Sequence, residues 1–244
     1  MPAVSSRRVS LPDGSSTTCH VAAFPLDELR VRVVSLVQRE TLVHWCRRNG
    51  VRHAIVGGFF VRPHNAPLGQ LRIAGAEADH VPFLAPWGDI RACVHIDGEI
   101  RIARRADLPD EPTGDLLQAG PLLVRDGASV IDGHDTEGFT AGAVQFDSDI
   151  SDGRHPRCAL ALTADALLAV ACDGRHDDEA GMTLGELAHE LVALGAHSAL
   201  NLDGGGSASL VCDGELINRP REQHGIELLD GRPIATLLVL DAEG

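Results

Sequence analysis

The residues best suited to chemistry lie at the end of one predicted strand and in the glycine run that follows it. In the stretch ALNLDGGGS, the period-2 geometry of a strand places Asn201 and Asp203 on one face and the neighbouring leucines on the other. Three glycines and a serine come next: Gly204, Gly205, Gly206 and Ser207. Because glycines carry no side chains, their backbone amides can approach a ligand closely and form an anion-binding nest. The stretch predicts a polar pair beside an anion site, with a flexible turn as the structural alternative.

Two arginines next to apolar runs are candidate phosphate ligands. Arg175 follows Asp173 by two residues after the run ALLAVAC, and Arg157 precedes the run CALAL. A planar guanidinium can bind two phosphate oxygens at once. An acid or arginine at the mouth of a buried strand costs desolvation energy unless it is paired or bound to a ligand. A plain tight turn at Asp173 and a loop end at Arg157 remain equally consistent with these segments.

Glu186 and the segment at Gly58 each allow a structural and a functional interpretation. Glu186 stands three residues after Thr183, the spacing of a helix capping box, but the same helix leads toward the ALNLDGGGS stretch. Glu186 is therefore either a cap or a carboxylate that acts on or orients a substrate. Gly58 and Phe59 follow Gly57 and the strand-like segment HAIV. They predict a close-packed turn that lines a pocket, with Phe59 either in the core or facing a sugar.

The composition excludes several kinds of chemistry. All 21 basic residues are arginine, and the chain has no tyrosine. Lysine Schiff bases, a phosphate-binding P-loop lysine and a tyrosine nucleophile are therefore ruled out. Ser209 stands where a dinucleotide motif G-x-G-x-x-G or a nucleophile motif G-x-S-x-G would need glycine. We therefore interpret Ser207 as a serine that contacts a ligand or belongs to a turn, in preference to a nucleophile.

The charge balance and the cysteines limit the possible binding partners and the cellular compartment of this protein. With 35 acidic residues against 21 basic ones, the net charge of −14 repels nucleic acid and anionic membranes. No apolar run approaches the roughly 18 residues of a membrane span, no secretion signal is legible, and the cysteines form no C-x-x-C pair. We expect a cytoplasmic protein with reduced thiols that binds a small molecule. No cofactor is expected to be required, although a bound Ca²⁺ or Mg²⁺ stays open for so acidic a chain.

The elements that must position these residues are mainly strands. Asp-Gly dipeptides between apolar segments predict tight hairpins at residues 13–14, 97–98, 126–127 and 213–214. The segment 157–175 predicts a further strand pair, turning near residue 165, with both faces buried. The pattern predicts an α+β fold in which hairpins build a mainly antiparallel or mixed β-sheet.

Two helices complete the predicted fold. Apolar spacing indicates one helix at 41–48, and a capping-box pattern begins a second at Thr183, which Gly195 ends. The few helices are expected to flank the sheet of a single domain. Within it, residues 1–50 are expected to form an N-terminal hairpin and helix packed on the core, and residues 51–244 the main domain.

Six short blocks occur together in one order along the chain. They are GGFF (57–60), QAGPLL (118–123), HPR (155–157), DGR (173–175), GMTLGELA (181–188) and NLDGGGS (201–207). In this order they resemble the phosphodiester glycosidase family, from about Val51 to Leu240. The most specific part of the resemblance is NLDGGGS with DGR upstream.

The resemblance implies a hydrolase that cleaves the C1–O bond between a sugar and a phosphodiester. The sugar would be of the N-acetylglucosamine type or a related kind, and the products would be free sugar and a phosphomonoester. Arg157 and Arg175 would neutralise the leaving phosphate and so replace a strong general acid. Asp203 would act near C1 as nucleophile or as base for water, with Asp173 and Glu186 as partner carboxylates.

The other predicted site residues would bind the substrate. Asn201 and the loop from Gly204 to Ser207 would hold sugar hydroxyls or phosphate, and Gly58 and Phe59 would line the pocket. Val56 stands where family members often have asparagine, which removes one polar contact.

Substrate choice and an alternative function stay open at the level of sequence. The loops at 62–90 and 132–155 would choose the sugar and the aglycone, and retention or inversion depends on carboxylate spacing. The sequence does not indicate the oligomeric state. The alternative is a non-catalytic protein that binds a phosphosugar or polysaccharide in exopolysaccharide or natural-product biosynthesis.

Overall fold

The computed structural model describes residues 1–61, 66–133, 137, 139 and 153–242. Most of the predicted substrate loop at 132–155 lies outside the described residues. So do residues 62–65 of the second predicted substrate loop, 62–90.

The described residues form nineteen strands and three α-helices. In chain order the strands are β1 (Ala3–Ser10), β2 (Ser16–Pro25), β3 (Leu29–Glu40), β4 (Ala54–Val56), β5 (Phe60–Val61), β6 (Ala66–Pro67), β7 (Leu71–Ile73), β8 (Ala76–Glu77), β9 (Ala92–Asp97), β10 (Glu99–Arg104), β11 (Asp115–Gln118), β12 (Leu122–Arg125), β13 (Ala128–Ser129), β14 (Arg157–Leu162), β15 (Ala166–Cys172), β16 (Ser198–Asn201), β17 (Leu210–Cys212), β18 (Glu215–Leu216) and β19 (Ile234–Ala242). The helices are α1 (Leu42–Asn49), α2 (Trp87–Ile90) and α3 (Leu184–Ala193).

Three sheets and one short strand pair organise these strands. The first sheet has the order β1-β2-β15-β14-β16-β12-β13, and the second sheet has the order β18-β17-β4-β19-β3. The third sheet has the order β10-β9-β11-β7-β8, and β5 pairs with β6. The strand pairs of these sheets are antiparallel. The predicted α+β class, with a mainly antiparallel sheet and flanking helices, is confirmed.

Both faces of the first sheet are buried. In β14, Cys158, Leu160 and Leu162 belong to the largest core cluster, which includes residues of the second and third sheets. Ala159 and Ala161 alternate with them and pack in a second cluster with apolar residues of α3. Burial on both faces explains why this strand is an unbroken apolar run instead of an alternating one. Each large apolar side chain buried there contributes about 1.5–3 kcal/mol.

The predicted hairpins at Asp-Gly pairs are confirmed. At residues 126–127 and 213–214, both central residues have positive φ, with φ 52° and 75° at the first pair and 52° and 81° at the second. These values are those of a type I′ turn, which matches the twist of the strands it joins. The pair at 13–14 connects β1 to β2, and the pair at 97–98 connects β9 to β10.

Both predicted helices form with the expected caps. The Thr41 side chain accepts a hydrogen bond from His44 N at the start of α1, and Gly50 ends that helix at φ 66°. Thr183 and Glu186 form the complete capping box of α3, each side chain bonded to the other's backbone N–H. In the parts of the chain that the structure describes, no helix is long and apolar enough to cross a membrane.

Residues 1–50 extend two of the sheets. They supply β1 and β2 to the first sheet, where β2 pairs with β15, and β3 to the second sheet, where it pairs with β19. The family-like part of the chain and this N-terminal segment therefore share continuous backbone hydrogen bonding. The proposed division at residue 50 stays a prediction.

Candidate active site

A cleft of about 70 Å³ opens where β14 and β16 of the first sheet meet β4 of the second. Seven residues predicted for the site line it: Phe59, Arg157, Arg175, Asn201, Asp203, Gly204 and Gly205. Four residues that the sequence did not predict for it complete the lining: His155, Pro156, Leu202 and Arg232. Blocks that are far apart in sequence thus meet in one place.

Asn201 and Asp203 reach the cleft because β16 ends between the two sheets. Leu202 N donates to Cys158 O at 2.8 Å in the first sheet, and Asp203 N donates to Gly57 O at 3.0 Å directly after β4. The Leu202 side chain is fully buried in the core, as strand alternation predicts. The Asp203 carboxylate accepts a hydrogen bond from Gly204 N at 2.8 Å. The strand end therefore sets the direction of both polar side chains.

Two hydrogen bonds from the side-chain amide nitrogen of Asn201 hold this residue in place. Its Nδ2 donates to Gly120 O at 3.2 Å and to Leu202 O at 2.7 Å. Its Oδ1 is buried and has no hydrogen-bond partner among the described residues. A buried acceptor without a donor costs free energy.

Side chains cannot be accommodated at Gly204 and Gly205, because neighbouring atoms lie where a Cβ would be. A Cβ at Gly204 would lie 2.7 Å from Pro156 O, and a Cβ at Gly205 would lie 2.9 Å from Arg175 Nη1. Gly205 also has φ 59°, a left-handed conformation that glycine adopts at low cost. These close approaches let the His155–Arg157 segment and Arg175 pack against the loop.

Arg157 and Arg175 are anchored by backbone carbonyls. Arg157 is buried; its Nε donates to Met182 O at 3.0 Å and its Nη2 to Gly153 O at 3.2 Å. The Nη1 of Arg175 donates to Arg221 O at 3.1 Å, and its Nη2 lies 3.4 Å from His155 Nδ1. Burial lowers the pKa of Arg175, while nearby Glu222 raises it. A guanidinium starts from so high a pKa that it remains a cation at neutral pH.

Arg232 is a third arginine of the cleft. Glu222 holds its guanidinium with two parallel hydrogen bonds, from Nε at 2.8 Å and from Nη2 at 2.5 Å. The backbone N of Arg232 donates to Gly206 O at 2.8 Å, which connects this residue to the glycine run. The signal that could have found it is the one that pointed to Arg157, an arginine shortly before an apolar strand. His155 could have been found as the first residue of the HPR block.

The loop that carries Arg175 rests on the N-terminal hairpin of β1 and β2. Asp173 N donates to Thr18 O, and Ala180 N donates to Ser16 O, both at 3.0 Å. The Glu179 carboxylate accepts hydrogen bonds from Thr18 N at 2.6 Å and from Arg8 Nη1 at 2.5 Å. The segment before residue 50 therefore helps to hold the loop that carries Arg175.

Asp173 lies beside the cleft and does not line it. It is buried; its Oδ1 accepts from Arg219 N at 2.7 Å, and its Oδ2 lies 3.3 Å from His20 Nε2. The carboxylate thus connects the Arg175 loop, strand β2 and the segment after β18.

Glu186 is engaged in the cap and in a salt bridge. Its carboxylate accepts from Thr183 N at 2.9 Å and from Arg154 Nη2 at 2.5 Å. Burial raises its pKa, but the hydrogen bonds from Arg154 and Thr183 outweigh burial and hold the pKa below its usual range. Glu186 does not line the cleft.

Three further predicted residues pack behind the lining. Gly58 N donates to the Thr236 hydroxyl at 3.0 Å. A Cβ at Gly206 would lie 2.7 Å from Glu222 Oε1, so this glycine lets the Glu222–Arg232 pair approach. Ser207 is fully buried, and its hydroxyl has no hydrogen-bond partner among the described residues.

Arginines are concentrated at this cleft although the whole chain has a net charge of −14. Among the described residues, three arginines and the Asp203 carboxylate line the cleft, and Glu222 behind the lining pairs with Arg232. Guanidinium groups gathered in a concave surface attract a small anion. Within the described residues, no group of three or more His, Cys, Asp or Glu is placed to hold a metal ion.

Comparison with protein families gives the class of this molecule. The family model described as phosphodiester glycosidase matches residues 49–240. The chain therefore belongs to the phosphodiester glycosidase family, as the six sequence blocks indicated. No curated protein matches the chain in sequence.

Solved structures share the fold. The catalytic domain of zebrafish N-acetylglucosamine-1-phosphodiester alpha-N-acetylglucosaminidase, auto-inhibited by its pro-peptide, has a TM-score of 0.74 at 20% identity, covering 100% of this chain and 83% of its own. A hypothetical protein from Synechocystis has a TM-score of 0.69 at 18% identity, covering 98% and 62%. A candidate exported protein from Burkholderia pseudomallei has a TM-score of 0.63 at 15% identity, covering 96% and 75%.

Proposed function

We propose that this chain hydrolyses the C1–O bond of a sugar-1-phosphodiester, of the N-acetylglucosamine type or a related sugar. One observation carries the proposal: the carboxylate-bearing Asp203 lines the same small cleft as Arg157, Arg175 and Arg232. The reaction needs a carboxylate near the anomeric carbon and cations near the departing phosphate. Both kinds of group are present within one cleft.

In the proposed reaction, water supplies a hydroxyl group to C1 of the sugar. The C1–O bond breaks, and its electron pair goes to the phosphate oxygen, so that free sugar and a phosphomonoester are formed. Asp203 stabilises the positive charge that develops at C1, as nucleophile or as the base that takes the proton of water. The arginines neutralise the leaving phosphate, which needs little protonation.

The contacts of the other carboxylates favour a positioning role for them. Asp173 is bonded to Arg219 N and faces His20, and Glu186 is bonded to Thr183 and Arg154. In our proposal Asp173 keeps the Arg175 loop in place, and Glu186 caps α3. Asn201 and the backbone at Gly204 and Gly205 contact the substrate, and Phe59 packs beside the sugar. The reaction as proposed requires no cofactor.

The decisive experiment follows phosphorus NMR of a panel of α- and β-sugar-1-phosphodiesters and nucleotide sugars with the purified protein. We expect conversion of a diester to a monoester by wild type and a loss of at least about a hundredfold for Asp203→Asn. The amide keeps an Oδ1 that can accept from Gly204 N, so the loop is expected to survive. Asp126→Asn is the matched control, because Asp126 lies in an exposed hairpin at φ 52°, where asparagine is tolerated.

Two results would contradict the proposal. Equal turnover by wild type and Asp203→Asn would remove Asp203 from the reaction. Thermal protection of the folded wild type by a panel member, with no turnover of any, would instead favour the binding-protein alternative.

The compartment is a separate part of the proposal. We retain the cytoplasmic location predicted from the sequence, which six buried free cysteines suit. The similarity to a candidate exported protein makes export the competing possibility. Fractionation of the producing cell with an antibody to this chain distinguishes the two.

A further inference from the structure

Two cysteines face each other across neighbouring strands of the first sheet. Cys19 of β2 and Cys172 of β15 are direct register partners. Both belong to the core cluster under α3, and both are fully buried. Among the described residues, they are the two cysteines that strand pairing places opposite each other.

The hydrogen-bond pattern shows which kind of pair this is. Asp173 N donates to Thr18 O at 3.0 Å, so the next pair along the ladder is hydrogen-bonded. Hydrogen-bonded and non-hydrogen-bonded pairs alternate in an antiparallel ladder, which makes Cys19 and Cys172 a non-hydrogen-bonded pair. Cα atoms in such pairs are about 4.5 Å apart and the side chains are close. That separation lies within the range of about 4.4–6.8 Å that a disulfide spans.

We propose that Cys19 and Cys172 form a disulfide when the chain folds in the presence of a disulfide oxidant. One thiolate attacks a sulfur of the oxidant, giving a mixed disulfide, and the second thiolate displaces the remaining thiol. The protein loses two protons and two electrons, and the oxidant, of the oxidised-glutathione or protein-disulfide class, is reduced to two thiols. In a reducing compartment the pair stays a dithiol, as it stands in this structure.

Burial determines when the bond can form. Burial raises the pKa of the Cys172 thiol to about 12 and places that of Cys19 higher still, so the folded dithiol supplies almost no thiolate. Neither sulfur is accessible to an oxidant in the folded state. The mixed disulfide with the oxidant therefore forms before β2 pairs with β15, and the pairing then brings the second cysteine to it.

The bond would join the N-terminal hairpin to the strand that leads into the Arg175 loop. It closes a long loop of chain, and a cross-link restricts the unfolded chain more when the loop that it closes is longer. Because Cys172 immediately precedes Asp173, the cross-link adds a covalent tie to the hydrogen bonds that hold this loop on β2. This inference rests on strand register, the hydrogen bonds of the ladder and burial, and it holds whether or not the proposed hydrolysis is correct.

The test refolds the denatured, reduced full chain with oxidised glutathione or with reduced glutathione. We expect the oxidised sample to lose two hydrogen atoms in intact mass and to yield one peptide pair containing Cys19 and Cys172 in a non-reducing digest. Its Tm should rise by several degrees, and dithiothreitol added before the scan should remove the rise. The folded, reduced protein should resist the same oxidant.

Variants separate this pair from the other buried cysteines. Cys19→Ser and Cys172→Ser should both abolish the cross-link, whereas Cys93→Ser, another fully buried cysteine, should retain it. Alkylation showing Cys19 and Cys172 both free after oxidative refolding would overturn the proposal. A cross-link from either one to a different cysteine would overturn it too. The wild-type digest decides the matter even if a serine variant fails to fold.

Discussion

Gly205 allows Arg175 to reach the cleft, and it does so in two separable ways. Its φ of 59° belongs to the left-handed region, and a Cβ at this position would lie only 2.9 Å from Arg175 Nη1. The first property is shared with many turn glycines, whereas the second is specific to this site. Substitution by alanine at two positions can therefore distinguish backbone strain from displacement of the arginine.

We predict that Gly205→Ala weakens phosphate binding, because the new methyl group displaces Arg175. Loss of one charge-assisted contact corresponds to about a tenfold or larger rise in the Kd for inorganic phosphate. Isothermal titration with phosphate measures it. Gly98→Ala is the control, since Gly98 has φ 70° and nothing within 4 Å of its Cβ position. Both variants should lose about 1–2 kcal/mol of stability, and equal phosphate binding by the two would argue against the close contact.

At the scale of elements, the N-terminal hairpin supports the Arg175 loop. The contacts run through Glu179, whose carboxylate is bonded to Thr18 N and Arg8 Nη1, and through the bond from Asp173 N to Thr18 O. The family model begins at residue 49, so this support comes from outside the matched part of the chain. The hairpin is thus expected to matter for the cleft although it contributes no lining residue.

Glu179→Gln should destabilise the protein by about 1–3 kcal/mol, because a hydrogen-bonded, partly buried charge is lost. Urea unfolding monitored by circular dichroism gives the change. Glu99→Gln provides the comparison, since the Glu99–Arg101 pair is exposed and such pairs contribute little. A Glu179→Gln protein as stable as the Glu99→Gln protein would show that the hairpin does not depend on this carboxylate.

At the scale of the whole molecule, buried histidine links stability to pH. His53 is buried in the core beside Phe24, and its Nδ1 accepts a hydrogen bond from Asp213 N. Burial lowers the pKa of His53, and the opposing effect of Asp213 is smaller. The unfolded chain therefore binds a proton at a higher pH than the folded one does, since the unperturbed pKa is about 6.5.

The free energy of unfolding should fall as the pH decreases from about 6.5 through the lower native pKa of His53, and this contribution should be fully present above 6.5. Urea titrations between pH 5 and 8 measure the slope. His53→Asn should flatten it, because asparagine does not titrate and its Oδ1 can accept from Asp213 N. A slope unaffected by His53→Asn would assign the pH dependence to other groups.

Local chemistry alone determined the turns, the caps and the alternation of β16. Asp-Gly pairs favour positive φ, a threonine followed three residues later by glutamate favours a cap, and a strand alternates its side chains; each effect acts within a few residues. Asn201 and Asp203 could therefore be assigned to one face from sequence. The same local information named Arg157, Arg175, Gly204 and Gly205 as candidates.

Only the tertiary structure decided which candidates meet. Arg232 and His155 join the cleft, whereas Asp173 and Glu186 are held outside its lining by Arg219, His20 and Arg154. The pairings of β2 with β15 and of β3 with β19 join segments far apart in the chain. No local pattern specifies such pairings, because they are selected by the burial of whole faces against one another and not by the preferences of neighbouring residues.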